Sequence, residues 1–165
     1  MRLLVIRHGV AEDRDDFAAT GEDDDARPLT LEGRKKMRRV ARGLVRVAAC
    51  PDILASSPLT RAEQTAAIVA AAFGIPVGAQ VDALRPDSTF AAFIRWASRH
   101  PEDSLVAIVG HEPHLSELVC WLMTGERKSR LTLKKGGACM LSFDGKPKRD
   151  RGCLEWLSTP AQLAI

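Results

Sequence analysis

Tyrosine is absent from this chain, and its five phenylalanines and three tryptophans are scattered through 165 residues. Aromatic residues make up only 5% of the sequence, which excludes a stacking platform for unpaired bases. Long apolar runs are also missing. The longest, Ala66 to Phe73, has eight residues, far short of the roughly eighteen that cross a bilayer. The N-terminal run Leu3 to Ile6 meets Arg7-His8 at once and does not read as a signal peptide. No membrane partner and a cytoplasmic location are therefore expected. The four cysteines, Cys50, Cys120, Cys139 and Cys153, lie far apart with no C-x-x-C pair. That pattern argues against a disulfide framework or a zinc site and predicts buried free thiols. The net charge of +3 is too small to call for nucleic acid.

The composition is that of an ordinary globule, with 45% hydrophobic and 27% charged residues. Its length fits one domain spanning residues 1–165, with a sizeable core. A monomer is expected. Charge is unevenly distributed. Eight acidic residues lie between Glu12 and Asp25, and Arg34, Lys35, Lys36, Arg38, Arg39, Arg42 and Arg46 crowd the next segment. This reads as an acidic loop followed by a solvated helix face. A basic rim that attracts an anionic partner is the alternative.

The apolar pattern alternates between strands and helices. Leu3 to Ile6 is a short buried strand, and residues 10–29 read as a loop without apolar periodicity. Thr30 offers an N-cap to an amphipathic helix over residues 31–49, built on Met37, Val40, Ala41, Leu44 and Val45. A strand over 52–55 leads into a helix predicted to start at Ser57-Pro58 and to run to Gly74. A weaker strand follows at 77–81, then a helix over 88–99 and a strongly apolar strand over 104–109. Pro113 opens a further helix that ends near Gly125. Two strand-like runs, 138–143 and 153–157, are joined by a polar connection starting Asp144-Gly145 and predict an antiparallel pair. The fold class that follows is α/β. It is a single three-layer domain with a largely parallel sheet, helices on both faces and an antiparallel C-terminal strand pair.

Ligands in such sheets gather beyond the carboxyl ends of the strands, and three strand ends carry chemistry of one kind. The first ends in Arg7-His8-Gly9 and the second in Ser56-Ser57-Pro58-Leu59-Thr60-Arg61. The third ends in Gly110-His111-Glu112-Pro113. Arginine presents a fork suited to phosphate oxygens, and histidine is a base or nucleophile near neutral pH. Arg61, in the first turn of its helix, opposes the helix dipole unless an anion sits nearby. H-x-x-H at His111 and His114 is also a metal-ligand spacing, but Pro113 lies between the two and the H-E-x-x-H pattern is absent. His114 reads as a helix-start residue and His100 as solvated. Two arginines and two histidines on one sheet rim propose several donors around one nucleophile, the arrangement phosphoryl transfer requires.

In order along the chain, Arg7-His8-Gly9, Ser57-Pro58-x-x-Arg61-Ala62-x-x-Thr65 and Gly110-His111 resemble the histidine phosphatase (phosphoglycerate-mutase-like) superfamily. The segment Arg27 to Arg34 and the compact length resemble its bacterial SixA-type phosphohistidine phosphatases. The resemblance implies that His8 is a transiently phosphorylated nucleophile. It also implies that Arg7, Arg61 and His111 bind the phosphoryl oxygens, with no metal and no cofactor. The implied partner is a phosphohistidine protein or a small phosphorylated molecule. One departure stands out: larger members carry an acidic residue after the third strand as general acid, whereas this chain reads Asp82-Ala83-Leu84-Arg85-Pro86-Asp87-Ser88. Asp87, Glu12 and Asp13 are the candidate acids. A missing acid handicaps an alkoxide leaving group more than an imidazole, which favours a phosphohistidine substrate. A phosphatase of small metabolites is the alternative, and a non-catalytic phosphate- or phosphoprotein-binding module is a third reading.

Overall fold

The first strand, β1 (Arg2–Arg7), has no alternation of apolar and polar residues because both of its faces are covered. Leu3, Leu4, Val5 and Ile6 are all fully buried. Successive side chains point to opposite faces, so Leu3 and Val5 enter one core cluster while Leu4 and Ile6 enter the other. The strand β4 (Leu105–Gly110) divides in the same way, with Val106 and Ile108 in the first cluster and Leu105, Ala107 and Val109 in the second. The computed structural model describes residues 1–164.

Four strands run parallel: β1, β4, β2 (Ile53–Ser56) and the short β3 (Ala79–Gln80). The strands β5 (Ala138–Ser142) and β6 (Cys153–Ser158) extend the sheet antiparallel beyond β1, as the tail pattern predicts. The order across the sheet is β3-β2-β4-β1-β5-β6. Helices α2 (Leu31–Val47) and α3 (Thr60–Phe73) bury Met37, Leu44, Ala66 and Val69 against one face. Helices α4 (Phe90–Ala97) and α5 (His114–Thr124) bury Phe93, Leu115 and Leu122 against the other. Thr30 caps α2 as expected, its hydroxyl accepting from Gly33 N at 2.8 Å.

Several expectations need correction. Residues 10–29 are not simply a loop: they hold α1 (Arg14–Ala18) and a single 3-10 turn at Asp24–Ala26. Asp13 caps α1 by accepting from Asp15 N at 2.9 Å and Asp16 N at 3.2 Å, and Asp23 caps the 3-10 turn. Ala11 pairs with Leu29 across the base of the segment. Side-chain caps build such short turns without apolar periodicity. The helix predicted from Ser57 starts later, with Leu59 at its N-cap and no side-chain cap bond. Ser57 still belongs to the sheet rim, where its N–H donates to Val109 O at 2.9 Å. The strand predicted over 77–81 shrinks to two residues, and α4 is shorter than predicted. All four cysteines are free, but only Cys139 is buried, while Cys50 and Cys153 are exposed. Sequence neighbours alone do not report the side of an edge strand or a helix end. No described helix is long and apolar enough to cross a membrane.

The last helix, α6 (Pro160–Leu163), packs directly on Gly43 of α2, where an added Cβ would stand 1.8 Å from Leu163 O. Gly43→Ala therefore has to push α6 away from α2, and the gain in helix propensity does not compensate. The expected loss is about 1–3 kcal/mol in urea-induced unfolding; an unchanged midpoint would show that α6 is not held there.

Candidate active site

Parallel pairing of β1 with β4 sets Arg7 opposite Gly110, so both chains leave the sheet side by side. His8 N donates to Gly110 O at 3.0 Å and His111 follows directly on the neighbouring strand. The two imidazoles are 6% and 3% exposed, with ring centroids 5.0 Å apart. On the other side of β1, Gly136 N donates to Arg7 O at 3.2 Å and to His8 O at 3.1 Å. The strand exit is therefore clamped from both sides.

His8 Nδ1 lies 2.7 Å from Gly9 O. A carbonyl oxygen only accepts, so this bond places the proton on Nδ1 and leaves the Nε2 lone pair bare. Gly9 N in turn donates to Thr65 Oγ1 at 3.0 Å, and the Thr65 hydroxyl donates to Arg61 O at 2.7 Å. This chain of bonds ties the first turn of α3 to the backbone beside His8.

Arg61 is 4% exposed, and its position against the helix dipole is explained by Asp24. Arg61 Nη1 donates to Asp24 O at 2.7 Å and Nη2 to Asp24 Oδ2 at 3.0 Å. The other carboxylate oxygen of Asp24 accepts from Arg27 Nε at 2.8 Å, and Arg27 Nη1 donates to Glu12 O at 2.7 Å. Partial burial raises the Asp24 carboxyl. The Arg27 bond and the charges of Arg61, Arg27 and Arg14 outweigh it and hold the group below its ordinary value. Arg7 is anchored by Nη1 donating to Leu133 O at 2.7 Å. These bonds do not use every buried polar atom of the site. Arg7 Nε, Arg61 Nε and both ring nitrogens of His111 are buried with no hydrogen-bond partner in the protein. His100 Nε2, Glu112 Oε1 and both ring nitrogens of His114 are likewise unpaired. Buried polar atoms are rarely left unpaired, because each costs roughly 1–3 kcal/mol.

The cavity over these groups measures about 590 Å³ and is lined by Arg7, His8, Arg61 and His111, with Arg27 and Lys135 adding positive charge. Burial, assisted by the charges of Arg61, Arg7 and Lys135, lowers the His8 pKa to about 4 despite the Gly9 carbonyl. Burial lowers His111 as well, joined by His8 and Arg61. Both rings are thus neutral at pH 7. All four residues predicted from the sequence meet at this cavity.

Of the candidate acids, Glu12 and Asp13 line the cavity and Asp87 does not. The Asp87 side chain is 81% exposed, with its carboxylate 3.7 Å from Arg85 Nε. Asp13 is occupied in capping α1, which leaves Glu12 as the uncommitted carboxylate. Sequence reasoning missed Asp24, Arg27 as a site residue, Lys135 and Glu112. The uncompensated Arg61 pointed to an anion, but not to which of eight nearby acids. Glu112 directly follows His111; its Oε2 accepts from Ser116 Oγ at 2.6 Å, and burial raises its pKa. His114 starts α5 as read, and its ring packs on Phe90 with centroids 5.4 Å apart while His111 packs on His8. The two histidines therefore do not form a ligand pair. His100 is half-buried rather than solvated, edge-on to Trp96 at 4.9 Å.

Residues 3–85 match the model of the histidine phosphatase superfamily (branch 1), which is half of the chain. An uncharacterised protein of Picosynechococcus is 37% identical over 139 residues, covering 83% of this chain and 82% of that one. Phosphohistidine phosphatase SixA of Escherichia coli K12 is 27% identical across all of this chain and 98% of its own length. Among solved structures, the protein histidine phosphatase SixA complexed with tungstate superposes with a TM-score of 0.82 at 23% identity, covering 99% of each chain. An alpha-ribazole phosphatase from Shigella flexneri superposes with a TM-score of 0.66 at 19% identity over 97% of each chain. The strand-end constellation and these matches agree, and the chain belongs to the histidine phosphatase superfamily.

Proposed function

We propose that the chain is a metal-independent phosphatase that removes the phosphoryl group from phosphohistidine in a partner protein. In this reading it works as a cytoplasmic monomer, through a phosphohistidine intermediate on His8. The observation that carries the reading is the set of buried, unpartnered donors on residues that line one cavity with His8: Arg7 Nε, Arg61 Nε and the ring of His111. A tetrahedral oxyanion placed there would accept from each of them, and the relative SixA has been solved with such an ion, tungstate.

The steps follow from these atoms. His8 is neutral and holds its proton on Nδ1, so Nε2 attacks phosphorus without prior deprotonation. The bond from phosphorus to the substrate imidazole breaks, and that ring, protonated on its other nitrogen while still bound to phosphorus, leaves as neutral imidazole. Arg7 and Arg61 stabilise the charge on the equatorial oxygens in a water-poor site, where fixed donors act most strongly. An anion beside His111 opposes the burial that keeps its ring neutral, so His111, already a donor at one nitrogen, is drawn toward its doubly protonated form as phosphate binds. Water then attacks phosphorus, restoring His8 and releasing inorganic phosphate. Asp24 positions Arg61 and supplies the counter-charge that keeps the empty cation cluster from repelling itself.

The second reading, hydrolysis of small phosphate esters, is favoured by Glu12. It lines the cavity and, unlike Asp13, makes no capping bond, which supports it as the acid for an alkoxide. The alpha-ribazole phosphatase that shares the fold acts on a small metabolite by its name.

Wild type is expected to release phosphate from a phosphohistidine protein and to form an acid-labile phosphoenzyme, while His8→Ala does neither. Persistent turnover in His8→Ala would remove the mechanism, and phosphate binding without turnover by wild type would support a binding module instead. On p-nitrophenyl phosphate, Asp87→Asn should stay within about twofold of wild type, as surface changes do. Glu12→Gln should slow this ester more than a phosphohistidine substrate. Equal losses on both substrates would show that Glu12 is not the acid.

The depressed histidines also set a pH dependence. The unfolded chain takes up protons near pH 6.5 and the folded His8 only near about 4. Stability is therefore full above the unfolded value and falls as pH drops through that window, by up to about 1.4 kcal/mol per pH unit per histidine. Nitrogen-detected NMR should find His8 as the Nδ1–H tautomer titrating well below 6.5. A midpoint at or above the ordinary value would refute its burial as a neutral base.

A further inference from the structure

The basic segment of α2 has a role that the active-site chemistry does not absorb. Arg34, Arg38 and Arg42 follow one another at i, i+4 and i+8, so their side chains stack along one face of the helix. No ion pair is formed by any of them among the described residues. Like charges at this spacing work against the helix unless something outside neutralises them. They form one wall of a groove of about 450 Å³ whose floor is Ala67, Ile68, Ala71 and Ala72 of α3. Leu31, three residues before Arg34 on the same face, is 80% exposed. A cationic ridge headed by an exposed leucine, beside an apolar trough, has the chemistry of an amphipathic contact.

The groove and the catalytic cavity are both lined by residues of α3. Gln64 lines it, and Gln64 stands one turn beyond Arg61, which lines the catalytic cavity. Gln64 Oε1 accepts from Leu29 N at 2.9 Å, in the same segment that carries Asp24 and Arg27 to the cavity rim. A chain lying along α2 and α3 therefore reaches the turn of α3 that carries Arg61.

We propose that this groove docks an acidic, amphipathic helix of the phosphorylated protein; the proposal rests on the phosphoprotein reading given above. Carboxylates spaced i, i+4 on such a helix match arginines spaced i, i+4, and guanidinium forks bind carboxylates in bidentate fashion. Apolar side chains of the partner fill the small-residue floor. A membrane does not fit as well, because the floor is mostly alanine and Ile68 is its one large apolar side chain. Nucleic acid does not explain an apolar floor that lacks aromatic groups. Docking beside the cavity raises the local concentration of the phosphoryl group and steers encounter by charge.

Three synthetic substrates test this. The first carries a helix of about five turns, with glutamates at i, i+4 and leucines on the adjoining face, joined by a Gly-Ser linker to a phosphohistidine. The second has the helix scrambled at equal charge, and the third is the linker with phosphohistidine alone. Wild type should hydrolyse the first with kcat/KM about tenfold above the other two. Arg38→Glu/Arg42→Glu, and separately Ala71→Glu, should bring the first down to the third while leaving the third unchanged. Equal rates on the first and scrambled substrates, or a first substrate indifferent to both variants, would overturn the proposal.

Fluorescence anisotropy with the unphosphorylated first peptide reads docking without turnover. Binding that both variants abolish, with no hydrolysis of any substrate, keeps the groove and removes the phosphohistidine reading. Hydrolysis of the third substrate without binding of the peptide removes the groove alone. Phosphatidylglycerol vesicles and duplex DNA complete the assay; tighter binding of either, lost in Ala71→Glu, would overturn the proposal in favour of that class.

Discussion

The parallel pairing of β1 with β4 is the constraint on which everything else depends. Its register sets Arg7 opposite Gly110, and a slip of one residue would turn His8 or His111 to the other face of the sheet. The register is held by burial on both faces: Leu3, Val5, Val106 and Ile108 on one side, Leu4, Ile6, Ala107 and Val109 on the other. Two histidines that lie 103 positions apart in the sequence then stand with ring centroids 5.0 Å apart. β5, antiparallel on the other edge of β1, fixes the exit of the strand through Gly136 and Gly137.

That geometry gathers positive charge where burial opposes it. Arg7, His8, Arg61 and His111 are all pushed toward their neutral forms by desolvation, and both imidazoles yield while the guanidiniums remain charged. Asp24 makes the cluster tolerable by taking two bonds from Arg61 and one from Arg27. It grips Arg61 through Nη1 and Nη2 and leaves Nε aimed elsewhere without a partner. The acidic run is therefore a built part of the site: capped turns at Asp13 and Asp23 carry one of its carboxylates onto the arginines.

Much of the architecture was legible. Apolar runs of four to six residues ending in Arg-His-Gly or Gly-His can be buried strands of a covered sheet, and the amphipathic spacing from Met37 to Leu44 marks α2. The limits appear where local signals compete with long-range bonds. Ser57-Pro58 has the chemistry of a helix start, yet the bond from Ser57 N to Val109 O keeps it on the sheet. Asp87 has the loop position expected of an acid, yet it turns to Arg85 and to solvent. Residues 10–29 lack periodicity because their turns are organised by side-chain caps rather than by a buried face.

By itself the sequence determined the strand-and-helix alternation, the layered α/β class and the residues His8, Arg7, Arg61 and His111, because each is written in local pattern and residue chemistry. Only the tertiary structure decided which acid answers Arg61, which tautomer His8 holds, and which donors remain unpaired around it. Those depend on distances between segments remote in the chain, and hydrogen bonds and desolvation act at those distances, not along the sequence.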